Sequence, residues 1–224
     1  MPAQSFAQIL KRAVKRTGGL DKLEAQLPKA KSARQLKSVR DDRYLSQMCL
    51  RVFRAGLKHT LVDGKWPAFE EVFHGFQPGR IILMSDEEME ACMANRSLIR
   101  HWAKLRSVRD NAAAMQEIIK QNGSFGAWLA DWPGTEIVGL WDALAKRFSQ
   151  LGGNSGPYFL RMVGKDTFVL TGDVVQGLID AKVVAKKPTS KPDKAKVQAH
   201  FNAWADETGR PLCELSRILS FSVG

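Results

Sequence analysis

The sequence predicts an all-α fold, and three observations carry that prediction. Apolar residues recur at intervals of three and four along most of the chain, the period of one buried helix face. Glycine and proline punctuate these runs where helices would stop: Gly18-Gly19, Pro28, Gly56, Asn122-Gly123 and Pro133-Gly134. No alternating strand pattern bounded by hairpin turns is present. Residues 167–170 (Thr-Phe-Val-Leu) are strand-like, but they are few.

Phe6, Ile9, Leu10 and Val14 mark a first helix that Gly18-Gly19 ends. Residues 20–40 read as short basic helical pieces broken at Pro28. Tyr44, Met48, Leu50 and Phe53 line a helix over residues 41–57 that exits at Gly56. Ser85 followed by Glu88 is a capping-box pattern, in which each end protects one unpaired amide of a new helix. A long helix is predicted over 97–121, a short one over 124–132, and an amphipathic one over 136–149 with Ile137, Leu140, Trp141, Leu144 and Phe148. After the Lys/Pro-rich stretch, residues 197–207 and 211–221 read as two closing helices around Thr208-Gly209-Arg210.

Composition narrows the function classes. The 224 residues are 44% hydrophobic and 25% charged, enough apolar residue for a real core. No apolar run is long enough for a transmembrane helix. The basic, amphipathic start is read as an ordinary first helix rather than a targeting peptide. Cys49, Cys92 and Cys213 are an odd, scattered set, which suits buried reduced thiols and gives no zinc spacing. The net charge of +11 is concentrated: residues 1–40 hold ten Lys/Arg against Asp21 and Glu24, and residues 182–196 hold six Lys against Asp193. Such segments attract polyanions by releasing condensed counterions; a solvated Lys-rich surface is the alternative.

The most informative stretch is residues 146–179. A helix ends near Gln150, Leu151-Gly152-Gly153-Asn154-Ser155-Gly156 follows, and a second helix is predicted from Pro157, a residue suited to a helix's first turn. Leucine and tight glycines between two helices form the core of a helix-hairpin-helix. Glycines let backbone amides approach a phosphodiester, and the second helix's N-terminus offers oriented donors. Lys165 or Arg161 would add a cation. A ligand-free interhelix turn is the alternative.

The segment after it, Phe168-Val-Leu-Thr-Gly-Asp173-Val-Val, resembles the position where helix-hairpin-helix DNA glycosylases place a catalytic aspartate. Met48-Cys49-Leu50, Ala55-Gly56-Leu57, residues 99–105 (Ile-Arg-His-Trp-Ala-Lys-Leu), Asn111-Ala112 and Gly153-Asn154-Ser155 together resemble the DNA-3-methyladenine glycosylase I family in order and spacing, over residues 41–180. The resemblance implies a helix-hairpin-helix glycosylase-like fold, two helical lobes with a cleft between them. Together with the charge and turn pattern, this divides the chain into a basic helical segment at 1–40, a core at 41–182 with its hairpin at 151–156, a Lys/Pro-rich linker at 183–196 and closing helices at 197–224. The resemblance also implies double-stranded DNA with a damaged base as partner, extrusion of that base, and Asp173 as the group that stabilises the oxocarbenium-like sugar or orients water. Helix N-capping is the alternative for Asp173, and an alternative alignment puts Thr171 in its place.

In the same register, the base pocket would hold Arg51 and His59, with aromatic faces from Tyr44 and Phe53. Core packing is the alternative for Phe53 and Tyr44, and a polar loop histidine for His59. Leu57 is a candidate to plug the gap left by the base; turn capping is its alternative. DNA would meet Gly152, Gly153, Asn154, Ser155, Gly156 and Lys165. Arg100, Lys104, Arg106 and Arg109 are read as a solvated helix face or as phosphate contacts. The lyase branch of the superfamily uses a lysine amine where Pro157 stands here, so a monofunctional hydrolase is implied. The departures are specific. Arg51 stands where the family has a glutamate that reads methylated adenine, and His59 where it has a stacking tryptophan. The tyrosine-rich N-terminal segment is replaced by basic residues. The terminal Cys/His zinc set of many members is absent, so no cofactor is expected beyond a monovalent cation on hairpin carbonyls.

An alkylation-repair glycosylase acting as a cytoplasmic, nucleoid-associated monomer is the first reading. A non-catalytic DNA- or lesion-binding protein with an altered pocket is the second. A protein whose basic arms meet an acidic partner is the third.

Overall fold

The computed structural model describes residues 4–224, and among these the regular structure is helical throughout, with no strand. In chain order the helices are α1 Phe6–Thr17, α2 Leu20–Glu24, α3 Ala33–Lys37, α4 Asp41–Arg54, α5 His59–Val72, α6 Pro78–Ile81, α7 Asp86–Ala91, α8 Trp102–Asn122, α9 Phe125–Asp131, α10 Ile137–Arg147, α11 Ser155–Val163, α12 Gly172–Asp180, α13 Lys191–Thr208 and α14 Leu212–Phe221. No helix of the described residues is long and apolar enough to cross a membrane.

The chain divides into two compact units. One contains residues 32–132 and 141–163. At its centre α4 packs on α5, α8, α9 and α11. Its core is strongly aromatic. Phe53, Trp66, Phe69, Phe73 and Phe76 form a continuous ladder, with Phe53 and Phe69 edge-on at 4.6 Å and Trp66 stacked on Phe76 at 5.3 Å. A second cluster gathers Tyr44, Phe148 and Phe159 around Phe125. Beside the first cluster, Trp66 Nε1 donates to Ser46 Oγ at 3.1 Å, and Ser46 donates to Glu70, which also receives Arg43. The closest approach is between α9 and the end of α3, where a Cβ on Gly126 would lie 2.5 Å from the Leu36 carbonyl. Ser85 and Glu88 form the expected capping box at α7.

The other unit contains residues up to 31, residues 133–140 and residues 164–224. Here α1 packs on α14 and α2, and α12 and α13 pack on α14. Phe168 stacks on Phe201 at 4.2 Å, and Trp204 meets both Phe6 and Phe201. A Cβ on Gly177 of α12 would lie 2.7 Å from Leu219 of α14, so the missing side chain sets how closely these helices approach.

The strand-like residues 167–170 form no ladder. Instead α14 holds the segment: Asp166 accepts from the Leu212 and Cys213 amides at 2.9 and 2.8 Å, and Val169 N donates to Ser216 Oγ at 3.2 Å. α13 begins at Lys191, within the stretch read as linker, because Ser190 caps it and Pro192 suits its first turn. α8 begins at Trp102, five residues later than its periodicity indicates.

Candidate nucleic-acid interface and base-reading residues

The hairpin leaves α10 through Gln150, which has φ +66°. Leu151 is buried as its anchor. The loop closes on itself, with Ser155 N donating to Gly152 O and Gly156 N to Leu151 O, both at 3.1 Å. Gly153 has φ +59°, a conformation glycine adopts without strain. Gly156 is tightly enclosed: a Cβ there would lie 3.1 Å from Leu151 O and 3.6 Å from the Leu144 side chain. Gly152 and Gly153 are exposed, and no heavy atom lies within 4 Å of where a Cβ would stand on either. One side of the loop is thus packed and the other is backbone that a phosphate could approach. α11 starts at Ser155, two residues before the expected Pro157, so proline sits in the first turn.

The hairpin is pinned by a residue whose role the sequence did not reveal. Asn111, fully buried in α8, donates from Nδ2 to Ser149 O at 3.2 Å and accepts from Ser149 N at 2.7 Å. A buried side-chain amide thereby satisfies both backbone groups of the residue that leads into the loop.

Arg51 lies half-buried in α4, its guanidinium 4.9 Å from the centre of the Tyr158 ring. Its Nε is buried without a hydrogen-bond partner. Burial pushes this guanidinium's pKa down; the neighbouring Tyr158 opposes the shift and the Arg54 charge adds to it. Lys104 corrects the reading of a solvated helix face. Only 9% exposed, it donates to Ala55 O at 2.6 Å and Phe53 O at 3.3 Å, capping the carbonyls at the end of α4. Burial, then the Arg51 charge, pushes its pKa down. Arg109 is likewise engaged, by Met84 O and Asp86. Arg54 pairs with Asp63 at 2.7 Å.

The other predicted pocket residues are differently placed. Tyr44 and Phe53 are wholly buried in the two aromatic clusters, and Tyr44 Oη donates to Leu36 O at 2.8 Å. Their rings are occupied by core packing and present no face to a base. Burial, reinforced by Asp41, pushes the Tyr44 pKa up to about 12. His59 is exposed as the first residue of α5, where the alternative reading had a loop. Leu57 is half-buried just after Gly56, whose φ is +77°.

Asp173 and Lys165 belong to the other unit. Thr171, not Asp173, is the N-cap of α12: its hydroxyl accepts from Val174 N at 3.2 Å. Asp173 is exposed in the first turn, where a carboxylate interacts favourably with the helix dipole. Lys165, expected as a phosphate contact, is 7% exposed at the start of the segment that α14 holds down; it is not offered to solvent as such a contact requires. No cluster of three or more His, Cys, Asp or Glu that could hold a metal occurs among the described residues.

Residues 35–149, 115 of the chain's 224, match the methyladenine glycosylase family. The chain belongs to that family. A DNA-3-methyladenine glycosylase of Haemophilus influenzae is 36% identical over 83 residues, 37% of this chain and 45% of the relative. The Escherichia coli DNA-3-methyladenine glycosylase 1 is 32% identical over 84 residues, 37% of this chain and 44% of the relative. The aligned stretch thus spans under half the length of these curated relatives. Among solved structures, a mutant of 3-methyladenine DNA glycosylase I from Staphylococcus aureus superposes with a TM-score of 0.52 at 19% identity, covering 75% of this chain and 92% of that one. Methanocaldococcus jannaschii 8-oxoguanine DNA glycosylase gives 0.56 at 13% identity, covering 94% and 91%. These likenesses establish a helix-hairpin-helix glycosylase fold. The family match ends at Ser149, so the hairpin and Asp173 lie outside it.

Proposed function

We propose that this family member is a monofunctional DNA N-glycosylase that extrudes an alkylated purine, of the 3-methyladenine kind, and hydrolyses its N-glycosidic bond. The observation that carries the reading is the hairpin at 151–156, built as approachable glycine backbone, with Asn111 hydrogen-bonded to both backbone groups of Ser149 at its entrance. Such a loop, followed by a helix N-terminus, suits a DNA phosphate. The cationic segments 1–40 and 182–196 would add salt-sensitive affinity. In this reading the protein works as a cytoplasmic monomer on double-stranded DNA.

Asp173 is the proposed catalytic carboxylate. As the C1′–N bond breaks, its charge would stabilise the oxocarbenium-like sugar. The purinium base departs neutral with the electron pair of that bond, and water bonds to C1′ and gives up a proton to solvent. Pro157, standing where the lyase branch has an amine, offers no nucleophile for a covalent adduct. The test is release of free base from alkylated duplex DNA, with borohydride added in parallel. Base release without a trapped protein–DNA adduct is expected; an adduct would overturn the monofunctional assignment.

Arg51 favours a second reading, in which the family's site binds DNA without excising a base. A guanidinium repels a purinium cation. Salt-dependent duplex binding with no base release from any lesion would select it.

A further inference from the structure

Residues 164–170 carry the chain into α12, and segments from both ends of the sequence hold them. Gly164 O accepts from Lys31 N at 2.8 Å, and the Lys31 side chain packs where a Cβ on Gly164 would stand. Asp166 takes both amides at the start of α14. Phe168 lies flat against Phe201 of α13 at 4.2 Å. The buried Val169 amide donates to Ser216 Oγ of α14 at 3.2 Å, and Ser216 is itself only 2% exposed. Lys31 and α14 both lie outside residues 35–149, the part of the chain that matches the family.

Asp173 stands at the end of a relay that begins at this serine. Ser216 holds Val169 N, Val169 O accepts from Thr171 N at 2.9 Å, and the Thr171 hydroxyl accepts from Val174 N at 3.2 Å. These bonds bracket Asp173 in the first turn of α12. Its exposed carboxylate has no hydrogen-bond or ion-pair partner among the described residues, so only its backbone places it. A charge that stabilises a developing cation acts through its distance, and it must be in place before the bond breaks.

We propose that Ser216 is a positioning residue for Asp173, fixing the first turn of α12 through the Val169 amide. This rests on the reading of Asp173 as the catalytic carboxylate. Ser216 touches neither DNA nor water in the reaction; it sets where the charge stands when the base departs.

The test separates rate from binding. Release of free base from methylated duplex DNA is followed in a single turnover at saturating protein, and affinity is measured on an undamaged duplex of the same sequence. Ser216→Ala removes one oxygen and keeps a strong helix former in α14, so the fold is retained. It should release base about ten-fold more slowly, within the scale by which misplacing a reacting group slows an oriented reaction, with duplex affinity unchanged. Ser216→Thr, which keeps the hydroxyl, should restore the rate. Ser220→Ala is the control, because that hydroxyl bonds only to Arg217 O within α14. Exchange of the Val169 and Val174 amides should quicken in Ser216→Ala and not in Ser220→Ala.

A wild-type rate in Ser216→Ala would overturn the proposal, and so would equal slowing in Ser216→Ala and Ser216→Thr. Slowing matched by Ser220→Ala would show a general weakening of α14 and would overturn it too. Failure of the underlying reading looks different: no release by the wild type, or equal release by the wild type and Asp173→Asn, removes the catalytic carboxylate itself. Release that needs Asp173 and ignores Ser216 overturns this inference alone.

Discussion

Asn111 and Ser149 are joined by a pair of hydrogen bonds, the asparagine amide giving one to the serine carbonyl and taking one from its amide. Ser149 is the last residue before the hairpin leaves α10 through Gln150. Asn111→Ala would leave the Ser149 backbone groups without these partners and open a small cavity in the core. Each orphaned buried polar group costs about 1–3 kcal/mol, so a loss of about 2–4 kcal/mol in urea unfolding is expected. Duplex affinity should also fall when measured where the variant is fully folded. Unchanged affinity there would mean that the hairpin does not depend on this clamp.

Gly126→Ala sets two effects against each other. Alanine in a helix gains up to about 1 kcal/mol over glycine. Here the new Cβ would meet the Leu36 carbonyl at 2.5 Å and the Tyr44 ring at 3.1 Å, so backbone must move. Overpacking of that kind costs about 1–3 kcal/mol, and the net is destabilising. Gly134→Ala, with nothing within 4 Å, is the control and should be near neutral in thermal unfolding.

Tyr44 predicts an alkaline weakness. Its folded pKa, about 12, stands above the ordinary value of 10. A raised acid favours the neutral form, so its contribution is complete below pH 10 and falls as pH climbs toward 12. The loss is on the order of 2 kcal/mol. Tyr44→Phe is less stable near neutrality because the bond to Leu36 O is gone. The gap between the two proteins should narrow between pH 10 and 12, read by denaturant unfolding at each pH. A gap that stays constant would contradict the burial argument.

Asp166 caps α14 through two amides at once. Asp166→Ala should cost about 1–2 kcal/mol, the range of a lost N-cap. Its amides should also lose hydrogen-exchange protection around Leu212 and Cys213 before the rest of their unit does.

Much of this was legible in the sequence, for identifiable reasons. The glycine stop after α1, the capping box at Ser85 and Glu88, and the hairpin glycines are local devices, visible as residue types at fixed offsets. α5 was not legible. Gly64 and Pro67 interrupt it, and its helix is sustained by Trp66 and Phe69 packing on Phe53 rather than by propensity. Residues 167–170 have strand-like composition because they are buried, and side chains of α14 supply the partners a strand would have supplied. In the candidate site, spacing alone placed Arg51 on α4 but could not reveal Tyr158 beneath it, more than a hundred residues away. Lys104 looked like a surface cation because its partners are main-chain carbonyls, which no side-chain pattern records. Tyr44 and Phe53 looked like pocket aromatics because sequence does not distinguish a ring that faces a ligand from one that fills a core.

The most direct measurement is release of free base from alkylated duplex DNA by the wild type and by Asp173→Asn, with duplex binding measured on both. Release by the wild type, lost by a hundred-fold or so in a variant that still binds DNA, is the predicted result for a carboxylate that stabilises the departing sugar's charge. Equal release by the two proteins would contradict the assignment of Asp173. No release by either, with binding intact, would contradict the glycosylase activity itself.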